Sequence, residues 1–266
     1  MRRIALQIEY DGGAYAGWQS QAVAPSVQSQ LQAALARVAD APIALICAGR
    51  TDAGVHARAQ IAHFDTSAPR SAAAWVLGTN RLLPSDISVG WARPMPAHFH
   101  ARYSALWRTY RYLILNRRAR SALAAGRALR VGAPLAVEHM RAGASWLLGE
   151  HDFSAFRAAE CQSRSPVRVV RALTIERLGD WVSIDITANA FLHHMARNLV
   201  GLLVAIGQGR VPSEHARLRL TSRERDAHVV TVPAAGLYLW GVQYPAAFGL
   251  PADSAMMPAV SAPGPA

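Results

Sequence analysis

Residues 3 to 10 alternate, with Ile4, Leu6, Ile8 and Tyr10 on one face and Ala5, Gln7 and Glu9 on the other. A period of two predicts a half-buried strand. The glycine-rich stretch "DGGAYAGWQSQ" follows as a loop. Ser26 can cap a helix whose apolar face is Val27, Leu31, Ala34, Leu35 and Val38. Strands are then expected near 43–47 and 59–65, with a loop between them. A helix after Ser71 runs through Trp75, Val76 and Leu82, and "DISVGWA" at 86–92 reads as another strand. The order is βαββαβ, that of ferredoxin-like units.

The second half repeats the order without repeating the sequence. The pattern predicts a strand over 105–115, a helix over 136–148 and strands over 167–177 and 181–188. A long helix "FLHHMARNLVGLLVAIG" is expected over 191–207, and the strand "LYLWGVQY" over 237–244. A helical pattern near 213–220 interrupts the last two. The fold class is therefore α/β (α+β), two ferredoxin-like βαββαβ halves around a central cleft. The N-terminal domain is placed at 1–103 and the C-terminal one at 104–248. Residues 249–266, rich in proline and small side chains, are expected to form a disordered tail.

Charge narrows the class of partner. The chain has 266 residues, a hydrophobic share of 52% and a net charge of +11. All 28 basic residues are arginine, which excludes a P-loop lysine, a Schiff-base lysine and a lysine general base. Guanidinium pairs bidentately with phosphate, so nucleic acid is the expected partner, ahead of an anionic membrane surface. Cys47 and Cys161 form no CxxC and suggest no zinc framework. Gln7 and Glu9 interrupt any signal-peptide core, and no apolar run is long enough to span a bilayer. A cytoplasmic protein is expected.

The loop between the second and third strands carries the chemistry. In "AGRTDAGVHARAQ", residues 48–60, the one carboxylate is Asp52. Ala53 and Gly54 let the backbone turn tightly beside it. Arg50 and Arg58 flank it, and cations near a carboxylate favour the anion. An Asx-turn would use the same tetrapeptide, but Arg-Thr-Asp-Ala-Gly-Val-His is longer and more particular than a turn needs.

"AGRTDAGVHA" followed by "QIAHF" resembles the active-site motif of tRNA pseudouridine synthases of the TruA type. "YAGWQSQ", "SVQSQLQAAL", "NRLLPSDISV", "FHARYSALWRTYRY", "LLGEHDFSAF", "CQSRSPVR", "NAFLHHMARNLVG" and "GLYL" match in the same order, across residues 10 to 244. The resemblance implies isomerisation of uridine to pseudouridine at positions 38, 39 and 40 of the tRNA anticodon stem-loop. It assigns the catalytic carboxylate to Asp52 and an active-site arginine to Arg50. It places Tyr110 against the target base, Arg197 beside the site and Leu237 at its closing edge. Arg58, Arg108 and His193 are expected RNA contacts. It also implies a homodimer with tRNA spanning both subunits, and no cofactor or metal. The segment "ERDAHVVTVPAA" before "GLYL" departs from the family pattern.

The implied reaction is chemically coherent with these residues. It breaks C1′–N1, turns the uracil and rejoins it through C5, so nothing is oxidised and no atom is gained. A carboxylate is needed, to add to the base or to assist at the sugar; the sequence leaves both open. A stem base must be flipped onto a receiving platform, which suits Tyr110; Arg108 and Tyr112 share its strand face by period two. Two rivals are an RNA-binding protein without catalysis and a hydrolytic N-glycosylase, which would call for a second acid. His193 and His194, neighbours on an expected helix, should point apart and make no metal pair.

Overall fold

The computed structural model describes residues 1–21 and 23–251. The first half contains β1 (Arg2–Tyr10), α1 (Val27–Ala39), β2 (Ile46–Cys47), β3 (His56–Thr66), α2 (Ala72–Leu82) and β4 (Ile87–Met95). The second contains β5 (Trp107–Leu115), β6 (Leu129–Arg130), α3 (Val137–Ser145), β7 (Gly149–Asp152), β8 (Val167–Leu178), β9 (Trp181–Ala188), α4 (Met195–Gly207), α5 (His215–Ser222) and β10 (Leu237–Gln243).

The predicted cap at Ser26 operates, and Ser71 caps α2. The Ser26 hydroxyl accepts from the Ser29 N–H in a reciprocal capping box, and Ser71 accepts from Ala74. α1 buries Val27, Leu31, Ala34 and Leu35 as its spacing requires, while Val38 packs at the core margin. α2 drives Trp75 edge-on against Phe64 of β3, with ring centroids 5.0 Å apart.

One sheet runs through both halves in the order β4-β1-β3-β10-β5-β9-β8-β7, with β2 on β3 and β6 on β5. Within it, β4-β1-β3-β2 and β10-β5-β9-β8 have the same ferredoxin-like arrangement, and every pairing inside them is antiparallel. The halves join where β10 pairs in parallel with β3, Tyr238 against His56 and Leu239 against Ala57. Thus the sheet is continuous across the 103/104 boundary expected from sequence.

That join positions the site. The same edge of β3 is shared: β2 takes Ala62 and His63, and β10 takes His56 and Ala57. The two strands part between them, and residues 48–55 emerge at the gap. The buried Gln60 fills it, donating from Nε2 to the Gly49 carbonyl at 2.6 Å.

Three expectations shift. The strand near 43–47 contracts to Ile46–Cys47 because its edge of β3 is split, and β3 begins at His56 rather than 59. The helix expected over 191–207 begins at Met195; Phe191 to His194 continue the apolar pattern but not the helical backbone, since His194 is left-handed. β6 and β7 are short additions the periodicity did not reveal. The expected tail lies, from residue 252, outside the described residues. No helix among the described residues is long and apolar enough to cross a membrane.

Candidate active site

The 48–55 loop is clamped on every side. The Tyr10 hydroxyl and Thr51 Oγ1 are hydrogen-bonded at 2.8 Å in the core, and the Trp18 N–H donates to the Thr51 carbonyl at 3.0 Å. The Gly54 N–H donates to Tyr15, and Gly54 turns the chain at φ 77°. Gly12 and Gly17 let their own loop press on this one: a Cβ on Gly12 would lie 1.9 Å from the Val55 carbonyl oxygen, and one on Gly17 2.6 Å from that of Thr51. The glycines of "DGGAYAGW" thus serve close backbone approach.

Asp52 projects from this frame, its side chain 28% exposed. Three groups from the entry to α4 converge on it. His193 Nε2 is 3.3 Å from Oδ1, while His194 Nε2 and Arg197 Nη1 are each 3.5 Å from Oδ2. Arg197 is the one residue of α4 that is not buried. Its Nε donates to the Val232 carbonyl at 2.7 Å, which aims the guanidinium. The 229–233 segment that supplies this carbonyl packs directly on Gly201, where a Cβ would fall 1.9 Å from the Val230 oxygen.

These residues line a cleft of about 1120 Å³. Tyr110 forms part of its wall, buried, with Phe191 edge-on at 4.8 Å. Burial, then the charge of Asp52, pushes its phenol above the usual tyrosine range. Leu237, buried, opens β10 opposite Tyr112 and lines the same cleft. Arg50 and Arg102 line it as exposed side chains. The Cys47 thiol also borders it, pushed up to about 12 by burial.

The structure thus gathers Asp52, Arg50, Tyr110, Arg197, Leu237 and His193 around one cleft. Arg108 borders it too, but its terminal N–H groups go to the carbonyls of Ala105, Asn189, Ala48 and Arg102. It braces the cleft rather than presenting those groups to RNA. Arg58 turns away, its guanidinium 4.9 Å from the centroid of Trp240, which also stacks with Arg111. His193 and His194 do not point apart as expected. Neither lies in the helix, and their rings sit 4.0 Å apart, both against Asp52. These three residues are close enough together to form a metal-ligand set. The Arg197 guanidinium, however, occupies the same side of Asp52 and opposes a second cation there.

The Asp52 carboxylate beside a guanidinium and two imidazoles, in a cleft edged by arginine, makes a site equipped for chemistry on an anionic substrate. The comparisons specify which chemistry. The sequence profile of the family described as tRNA pseudouridine synthase matches residues 6–104 and 144–245. The chain is 53% identical over 252 residues to tRNA pseudouridine synthase A of Methylococcus capsulatus, covering 95% of this chain and 93% of that one. It is 52% identical to tRNA pseudouridine synthase A of Pseudomonas aeruginosa, covering 94% and 88%, and 50% identical to that of Cronobacter sakazakii, covering 94% and 92%. The chain therefore belongs to the tRNA pseudouridine synthase family, and its reaction class is isomerisation of uridine.

Proposed function

We propose that this protein converts uridine to pseudouridine at positions 38, 39 and 40 of the tRNA anticodon stem-loop, with Asp52 as the essential carboxylate. The observation that carries the reading is the convergence of His193, His194 and Arg197 on Asp52 in an arginine-edged cleft. The target uridine leaves its stack and enters the cleft, where Tyr110 receives the ring. Leu237 closes the apolar side. Arg50 and Arg102 hold flanking phosphates, and with a net charge of +11 much of the affinity is electrostatic.

Asp52 supplies the carboxylate that either route needs, addition to the base or assistance at C1′. Arg197 fixes its position through the Val232 carbonyl. The atoms balance without a co-substrate, so no cofactor or metal is invoked. The protein works in the cytoplasm as a homodimer, one tRNA contacting both subunits.

The test uses tRNA transcripts with tritium at C5 of uridine. The reading expects tritium release to water, with pseudouridine mapping to positions 38–40. Free uracil and an abasic RNA would instead support a glycosylase, and bound, unmodified RNA a binding protein. Sedimentation with and without tRNA tests the dimer.

A further inference from the structure

We propose that His194 is a further catalytic residue of this reaction, the base that takes the proton leaving C5 of the uracil ring. The proposal rests on the pseudouridine synthase reading. Whatever route Asp52 follows, once C1′ is bonded to C5 that carbon still bears its hydrogen. A base within reach of Asp52's reaction partner must remove it.

His194 is held where such a base is needed, in a left-handed backbone conformation. Among the described residues, three non-glycine residues have positive φ: Asp40, His194 and Arg223. Asp40 and Arg223 close α1 and α5, the ordinary place for a left-handed residue. His194 instead stands at the entry of α4 with φ 62°, and its side chain makes no capping bond there. That conformation is unfavourable for an L-residue, and such strain gathers at functional sites. Its result here is to bring Nε2 to 3.5 Å from Asp52 Oδ2 at the cleft surface.

The ring's surroundings favour the protonation state a base needs. Burial lowers its pKa from the usual histidine value, and His193 and Arg197 lower it further; Asp52 and Glu160 pull the other way without reversing the result. That direction favours the free base at neutral pH. Three other cleft groups suit the task less well. The Tyr110 phenol and the Cys47 thiol are both pushed up by burial and hold their protons. Glu160 is 65% exposed and lies beyond His193, 3.6 Å from its Nδ1.

The step balances. The C5–H bond breaks, its electron pair restores the ring double bond, and the proton passes to His194 Nε2. The imidazolium, beside the Asp52 carboxylate, releases the proton to water. N1, freed from C1′, takes a proton from water. Nothing is oxidised.

The test follows tritium release from C5 in single turnovers across pH. His194→Asn and His194→Gly both suit a left-handed backbone, so neither should disturb the fold. A neutral-base role predicts an acid limb in the wild-type profile that disappears in the Asn variant. The release rate should fall about a hundredfold, while tRNA affinity stays within about threefold. A C5-deuterium isotope effect should emerge, and added imidazole should restore release to the Gly variant, which has space for it. If the Asn variant is unstable, imidazole rescue of the Gly variant still decides. Release within threefold of wild type, with the acid limb intact and no rescue, overturns the role of His194. A wild-type protein that binds tRNA but releases no tritium overturns the parent reading instead.

Discussion

Replacing Gly17 by alanine tests whether the Asp52 loop is held by backbone contact. Gly17 has φ 93°, and an added Cβ would fall 2.6 Å from the Thr51 carbonyl oxygen and 3.0 Å from the Asp52 carbonyl carbon. Both are main-chain atoms and cannot swing away. Reaching ordinary contact near 3.4 Å requires the Thr51–Asp52 backbone to retreat by about 0.8 Å. The retreat pulls on the Tyr10–Thr51 and Trp18–Thr51 hydrogen bonds. The unfavourable φ adds roughly 1–2 kcal/mol of destabilisation. A misplacement approaching 1 Å at a reacting group costs on the order of a hundredfold in rate. We therefore expect Gly17→Ala to lose about ten- to a hundredfold in single-turnover tritium release and roughly 1–2 kcal/mol by urea unfolding. Affinity for tRNA should hold, since Gly17 offers the RNA no charge. A variant with wild-type rate and stability would refute the claim that this contact sets the position of Asp52.

Arg197→Lys should lower the rate at least tenfold with little loss of tRNA binding. A point charge cannot hold the Val232 carbonyl and Asp52 together as the guanidinium does; kinetics beside a filter-binding titration check this. His63 makes stability depend on acid. It is buried, its Nδ1 accepts from the Ala101 N–H, and burial, with help from Arg3 and His100, lowers its pKa to about 4. The unfolded chain takes up this proton near pH 6.5 and the folded chain does not, so the contribution is present above pH 6.5 and is lost as pH falls toward 4. Wild type should lose up to about 3 kcal/mol over that window and His63→Gln markedly less, read as urea midpoints at pH 7.5 and 4.5.

Local pattern carried much of the fold. The alternation in β1, the Ser26 cap and the apolar face of α1 are set by neighbours in sequence, and they appear as predicted. Long-range pairing was not legible: nothing in "GLYLWGVQY" announces that it lies parallel to His56–Ala57 and joins the two halves. The Asp52 loop stood out by its composition, and Arg197 and Tyr110 reach the same cleft. The turn at His194 is hidden in the sequence because Phe191, Leu192 and Met195 continue a helical spacing through a stretch where the backbone turns left-handed. Arg58 and Arg108 had the right chemistry for RNA. Their partners, Trp240 in one case and four carbonyls in the other, come from distant segments.

The central claim, that Asp52 performs the chemistry rather than the binding, is tested by Asp52→Ala assayed for C5 tritium release and tRNA affinity together. Asp52 is an anion facing a polyanion and contributes little to the electrostatic attraction. Release should vanish while the Kd for tRNA stays within about tenfold of wild type. Persistent release, or loss of release and binding together, would contradict the account.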